Sequence, residues 1–121
     1  MEQGDIVWAD DKEKHPHPII FIEKIDKHNF HGCIFSHEIG KGNVKMKPEH
    51  FEKQDENGNP YDIQYDNSYL VICRLIKLGN WITRDKPKGK LTEEGIRFIL
   101  ANIPTEDKAI LLNKPIWELN S

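Results

Sequence analysis

Apolar and polar positions alternate from the start of the chain. Gly4-Asp5-Ile6-Val7-Trp8-Ala9-Asp10 sets Ile6 and Trp8 on one face of an expected strand, with Val7 and Ala9 on the other. A charged stretch, Asp10 to Lys14, breaks the pattern. After His15-Pro16-His17-Pro18, the bulky residues Ile19-Ile20-Phe21-Ile22 run together, as in a strand covered on both faces at the centre of a small β-core. His15 and His17 then stand at the mouth of that core. Asp26-Lys27-His28-Asn29 is a polar turn, and Phe30 to Phe35 returns as the second arm of a hairpin. Its alternation puts His31, Cys33, Phe35 and His37 on one face and Gly32, Ile34 and Ser36 on the other.

Further on, Val44-Lys45-Met46-Lys47 alternates apolar and basic, the mark of a short half-exposed strand. A single turn over Pro48 to Phe51 is expected to pin Phe51 to the core. Gln54 to Pro60 holds no apolar residue and includes Asn57-Gly58, so it reads as a surface loop. Tyr61, Ile63 and Tyr65 alternate without settling the state of their segment. Ser68 to Leu78 reads as one strand, and Trp81 to Arg84 as another beyond the Gly79-Asn80 turn. Thr92 is placed to cap a helix whose first turn carries Glu93 and Glu94, where the helix dipole favours acids. Ile96, Ile99, Leu100 and Ile103 form its apolar stripe, and Pro104 stops it. Thr105 is expected to open a second, shorter helix carrying Ala109, Ile110 and Leu112 and ended by Pro115.

Strands followed by helices imply a mainly β fold with a C-terminal helix. It would be an SH3-like small barrel or a strongly bent antiparallel sheet with one or two helices packed on it. With 121 residues, the chain reads as a single domain, 1–121. A net charge of -3 excludes a globally basic nucleic-acid binder, but the charge is uneven. Arg74, Lys77, Arg84, Lys86, Lys88 and Lys90 face Asp85 alone, whereas Glu2, Asp5, Asp10, Asp11 and Glu13 crowd the first strand and loop. Cys33 and Cys73 sit in apolar runs and read as buried free thiols, which fits a reducing cytoplasm. No secretory pattern and no apolar run of membrane-spanning length appears, so the expected location is cytoplasmic, without membrane contact.

Three stretches in this order and spacing make the chain resemble the MazF/PemK (CcdB-like) toxin family. They are Gly4 to Asp10, His17-Pro18-Ile19-Ile20-Phe21-Ile22, and Tyr69 to Leu78 followed by Gly89-Lys90-Leu91-Thr92 at a helix start. The resemblance implies a homodimer that cuts single-stranded RNA in a groove and is blocked there by a cognate antitoxin. It implies a toxin–antitoxin endoribonuclease without cofactor. His17 stands where the family carries an arginine that stabilises the transition state. The family's assisting threonine falls on Phe35, or on Ser36 if the register slips by one. Gly4 to Ala9 with His15-Pro16-His17-Pro18 is also similar to the opening of a PWWP domain, although that motif's tryptophans are histidine and proline here. The corresponding alternative is a non-catalytic SH3-like or PWWP-like barrel that binds a peptide or nucleic acid.

Metal-free RNA cleavage needs a group to activate the 2′-hydroxyl, charge to stabilise the phosphorus centre, and an acid for the leaving oxygen. Histidine suits the first and last tasks because its pKa lies near working pH. His17 and His37 would form that pair if the sheet brings them together, with Ser36 assisting and Arg74 or Arg84 supplying charge. The plainer alternative makes His17 a filler of the barrel mouth and His37 a solvated strand end. Trp81, Arg84, Lys86 and Lys88 combine cations with a stacking face, which Lys45 and Lys47 would extend. An ordinary solvated connector explains that run equally well. Trp8 reads as core or dimer contact. His15, His17, His31 and His37 also suggest a metal, but Pro16 between the first two and the lack of a Cys-x-x-Cys partner lead to no metal assignment.

Overall fold

A computed structural model of the chain describes residues 2–10, 16–26, 30–37, 39–40, 42–71, 74–77, 87–103 and 109–111. At 9, 10, 16, 17, 74–77 and 109–111 it describes the backbone alone. The alternating first stretch forms β1 (Asp5–Asp10), which pairs antiparallel with β2 (Pro16–Lys24) through Ile6–Ile20 and Trp8–Pro18. β2 pairs antiparallel with β3 (Phe30–Ser36), as the two hairpin arms were expected to; residues 27–29 of the expected turn lie outside the described residues. The β2–β3 register shifts between Phe21 and Glu23, so Ile22 is an extra residue. A bulge of this kind bends its strand and raises the local twist, which curls the sheet.

The apolar run behaves as its composition demands. Ile20 and Ile22 enter the main core, while Ile19 and Phe21 are buried on the other face, where Phe21 lies 5.4 Å from Phe30. Ile6, Ile20 and Cys33 make one row across β1, β2 and β3; Val7, Ile19 and Ile34 make the row behind it. Cys33 is buried, as its surroundings predicted; Cys73 lies outside the described residues.

Residues 68–78 do not form one strand. The described parts are β5 (Tyr69–Leu70) and β6 (Arg74–Lys77), both on the edge of β3 away from β2. β4 (Val44–Lys45) pairs with β5, and β7 (Gly89–Lys90) pairs with β1. The order β4-β5-β3-β2-β1-β7 is a strongly curled antiparallel half-barrel. Its two ends approach each other where Phe51, downstream of β4, bridges Leu91, the residue after β7. Phe51 is anchored by a single 3₁₀ turn (Pro48–His50), as expected, and meets Phe35 edge-on at 5.5 Å.

The expected helix is α1 (Glu93–Asn102), with Thr92 Oγ1 accepting the Gly95 N–H at 3.1 Å. Its buried stripe is Gly95, Ile99 and Ile103, with Ile96 and Phe98 partly covered; Leu100 is exposed, unlike the sequence expectation. Gly95 faces the 3₁₀ turn so closely that a Cβ there would run into the His50 carbonyl, and this offsets the helix face by one position. The second helix is a larger correction. Ala109–Leu111 is a strand, β8, parallel to β6 through Leu75–Ile110. Three apolar residues carry no period long enough to separate helix from strand, and the β6 edge supplies the partner that decides it. Thr105, Leu112 and Pro115, and the strand expected over Trp81–Arg84, lie outside the described residues. No helix among the described residues is long and apolar enough to cross a membrane.

Candidate functional site

Two residues beyond the Ile6–Ile20–Cys33 row, on the same face of the sheet, stand Trp8, Pro18 and Phe35. The core ends at this point and the curled sheet opens into a groove of about 540 Å³. That size suits a nucleotide or a short peptide turn. Of the two readings of Trp8, core or dimer contact, the structure overturns the first: the residue is 45% exposed and lines the groove. The strand simply runs past the end of the packed layer.

The opposite wall is residues 62–66, and its backbone is irregular despite the alternation of Tyr61, Ile63 and Tyr65. Tyr61 N–H bonds to the Lys53 carbonyl at 3.0 Å, and Ile63 N–H to the Lys88 carbonyl at 2.8 Å. Ile63 is buried in the core, and the Tyr65 ring packs 5.8 Å from Phe51. These ties hold a wall without any strand partner. Upstream, Asp55 Oδ1 accepts the N–H groups of Asn57 and Asn59, both at 2.9 Å, and closes the loop at Gly58, whose φ of 82° suits glycine.

Ser36 and His37, at the end of β3, line this groove. His37 Nε2 lies 3.7 Å from Asp66 Oδ2, and both side chains are largely exposed. A second depression, about 420 Å³, is lined by Lys45, Lys47, Pro48 and Glu49. Tyr65 lines both, so the two hollows share a wall. Lys88 Nζ lies 4.0 Å from Oδ2 of the groove-lining Asp62.

Of the expected site residues, Ser36 and His37 line the first groove, Lys45 and Lys47 line the adjoining hollow, and Lys88 stands beside Asp62. His17 pairs with Ala9 in β1, beside the groove-lining Pro18 and at the end of the β2–β3 pair where Ser36 lies; its side chain is outside the description. Arg74 heads β6 opposite Ala109, again as backbone alone. His15, Trp81, Arg84 and Lys86 lie outside the described residues. His31 Nδ1 contacts Glu23 Oε1 at 2.8 Å, across the β2–β3 pair. Among the described residues no group of three or more His, Cys, Asp or Glu side chains is placed to hold a metal. Asp62, Gln64, Tyr65 and Asp66 were not foreseen as site residues. Their only signal was an aromatic alternation too short to reveal its partners.

Comparison with family models, with curated proteins and with solved structures returns no match.

Proposed function

We propose that the groove binds single-stranded RNA and that the chain is a MazF/PemK-like domain, a metal-independent endoribonuclease with a histidine in place of the family arginine. The observation that carries this reading is the shared Tyr65 wall, which joins Ser36, His37 and an exposed tryptophan to Lys45 and Lys47. Single strands are held by cations along the backbone and by aromatic faces under the bases. Lys45 and Lys47 fit the first role; Trp8 and Tyr65 fit the second.

In this reading His37 exchanges protons. As base it takes the 2′-hydroxyl proton, the 2′-oxygen attacks phosphorus, and the 5′-oxygen leaves with a proton from an acid. His17 is the candidate for the partner group. Asp66, 3.7 Å from His37, limits its orientations. Ser36 donates a hydrogen bond to a phosphate oxygen. A homodimer and an antitoxin segment seated in the same groove belong to the same proposal.

The test uses end-labelled single-stranded RNA with a chelator present. Cutting is expected for RNA and not for its 2′-deoxy counterpart, with His37→Ala reducing the rate by about 10²–10⁴-fold. A chain that neither binds nor cuts RNA refutes the proposal, and binding without cutting leaves a non-catalytic RNA binder. The second reading, an SH3-like or PWWP-like binder of a cationic peptide, is favoured by one observation: Asp62 and Asp66 line the same groove as Trp8 and Pro18.

A further inference from the structure

The two carboxylates at the RNA-facing groove are the feature that simple phosphate binding leaves unexplained. A carboxylate repels phosphate. It is, however, a good partner for a base edge that presents two N–H groups. Asp62 lies on the groove wall with Lys88 Nζ 4.0 Å from its Oδ2, beyond hydrogen-bond length. Asp62 is 73% exposed and the Lys88 side chain 41%. Such an open, loose pair is worth little on its own and yields readily to a ligand. Asp66 has a different neighbour, His37.

An acceptor pair beside a donor selects among the bases. The Watson–Crick edge of guanine presents two adjacent donors, N1–H and N2–H, followed by the O6 acceptor. A carboxylate takes both donors in a bidentate contact, and the neighbouring ammonium meets O6. Adenine, cytosine and uracil each place an acceptor where the carboxylate needs a donor. Single-stranded RNA exposes this edge while the base stacks on an aromatic ring. Trp8 stands in the same groove with an exposed ring. A nucleotide is itself bipolar, so the base would lie by Trp8 and Asp62 while its phosphate faces the Lys45–Lys47 hollow across Tyr65. A cationic peptide would leave those lysines without a role.

We propose that Asp62 and Lys88 read guanine, so that the groove prefers single-stranded RNA with a guanine seated on Trp8. This rests on the RNA-binding reading above. The test measures binding of 2′-O-methyl hexanucleotides, which cannot be cut, by fluorescence anisotropy. The probes are oligo-U and oligo-U with one guanine, adenine or inosine. The guanine probe is expected to bind about tenfold tighter than the uracil or adenine probes. Inosine, which lacks the N2 amine, is expected to lose part of that preference. Asp62→Asn should erase the preference for the guanine probe over the uracil and adenine probes, and since Asp62 is exposed its loss spares the core; a guanine preference that survives in this variant overturns the guanine proposal. Equal binding of all four probes overturns the guanine proposal alone. Binding of an Arg- and Pro-containing peptide with no binding of any oligonucleotide overturns both proposals.

Discussion

His50 ties the stability of the fold to pH. Its side chain is buried, its ring stacks on Phe98 at 4.4 Å, and its Nδ1 accepts the Lys47 N–H at 3.0 Å. Burial pushes its pKa below 6.5, Glu94 and Glu49 oppose that, and Lys47 adds to it. The unfolded chain therefore takes up the proton more readily than the folded one. The stabilisation is complete above pH 6.5 and disappears as pH falls through the lowered native value. Protonation would also turn Nδ1 into a donor facing a donor. Urea unfolding is expected to show a lower midpoint at pH 5.5 than at pH 7.5, and His50→Phe should shrink that difference. A pH gap undiminished in the variant would assign it to other groups. Ser68 offers the opposite case: its Oγ is buried and has no hydrogen-bond partner among the described residues. Ser68→Ala is expected to change stability by no more than ~0.5 kcal/mol, or to raise it, because no bond is lost. A loss above ~1.5 kcal/mol in a thermal melt would mean that the hydroxyl has a partner.

At the level of elements, local signals and tertiary partners carry different weight. The start of α1 was legible because Thr92 is followed by two acids and an apolar period, and its cap hydroxyl both accepts and donates. Thr92 Oγ1 accepts from Gly95 and donates to the Glu49 carbonyl at 2.7 Å, locking helix to 3₁₀ turn. Thr92→Ala should cost about 1–2 kcal/mol. Gly95→Ala tests the close approach directly. Helix propensity alone favours alanine by about 1 kcal/mol, but the His50 carbonyl occupies the space its Cβ needs. Net destabilisation of about 1–3 kcal/mol is expected in chemical denaturation. A variant as stable as the parent would show that the turn yields at no cost. By contrast, residues 109–111 and 61–67 were not legible: one needed the β6 edge, the other needed distant carbonyls at Lys53 and Lys88.

For the whole molecule, the curled sheet puts charge of both signs around one opening. If Lys45 and Lys47 neutralise phosphates, RNA affinity should fall linearly with salt on logarithmic axes. Each lysine-to-alanine change should reduce the slope by about 0.7. Slopes unchanged in both variants would move the phosphate path elsewhere. Trp8 matters at this scale too, because its place follows from where the packed layer ends.

The order of the first strands, the central burial of Ile19 to Ile22, the Phe51 anchor and the capped helix were all determined by the sequence itself. Period, caps and turn residues act within a few positions, so they survive without knowledge of the partner. The tertiary structure alone decided that Trp8 is exposed, that Tyr65 divides two hollows, and that Asp62 and Asp66 meet Lys88 and His37. Those contacts join segments far apart along the chain. The wall that carries Asp62 and Asp66 is held by backbone bonds to the Lys53 and Lys88 carbonyls, and alternation along one strand carries no trace of them.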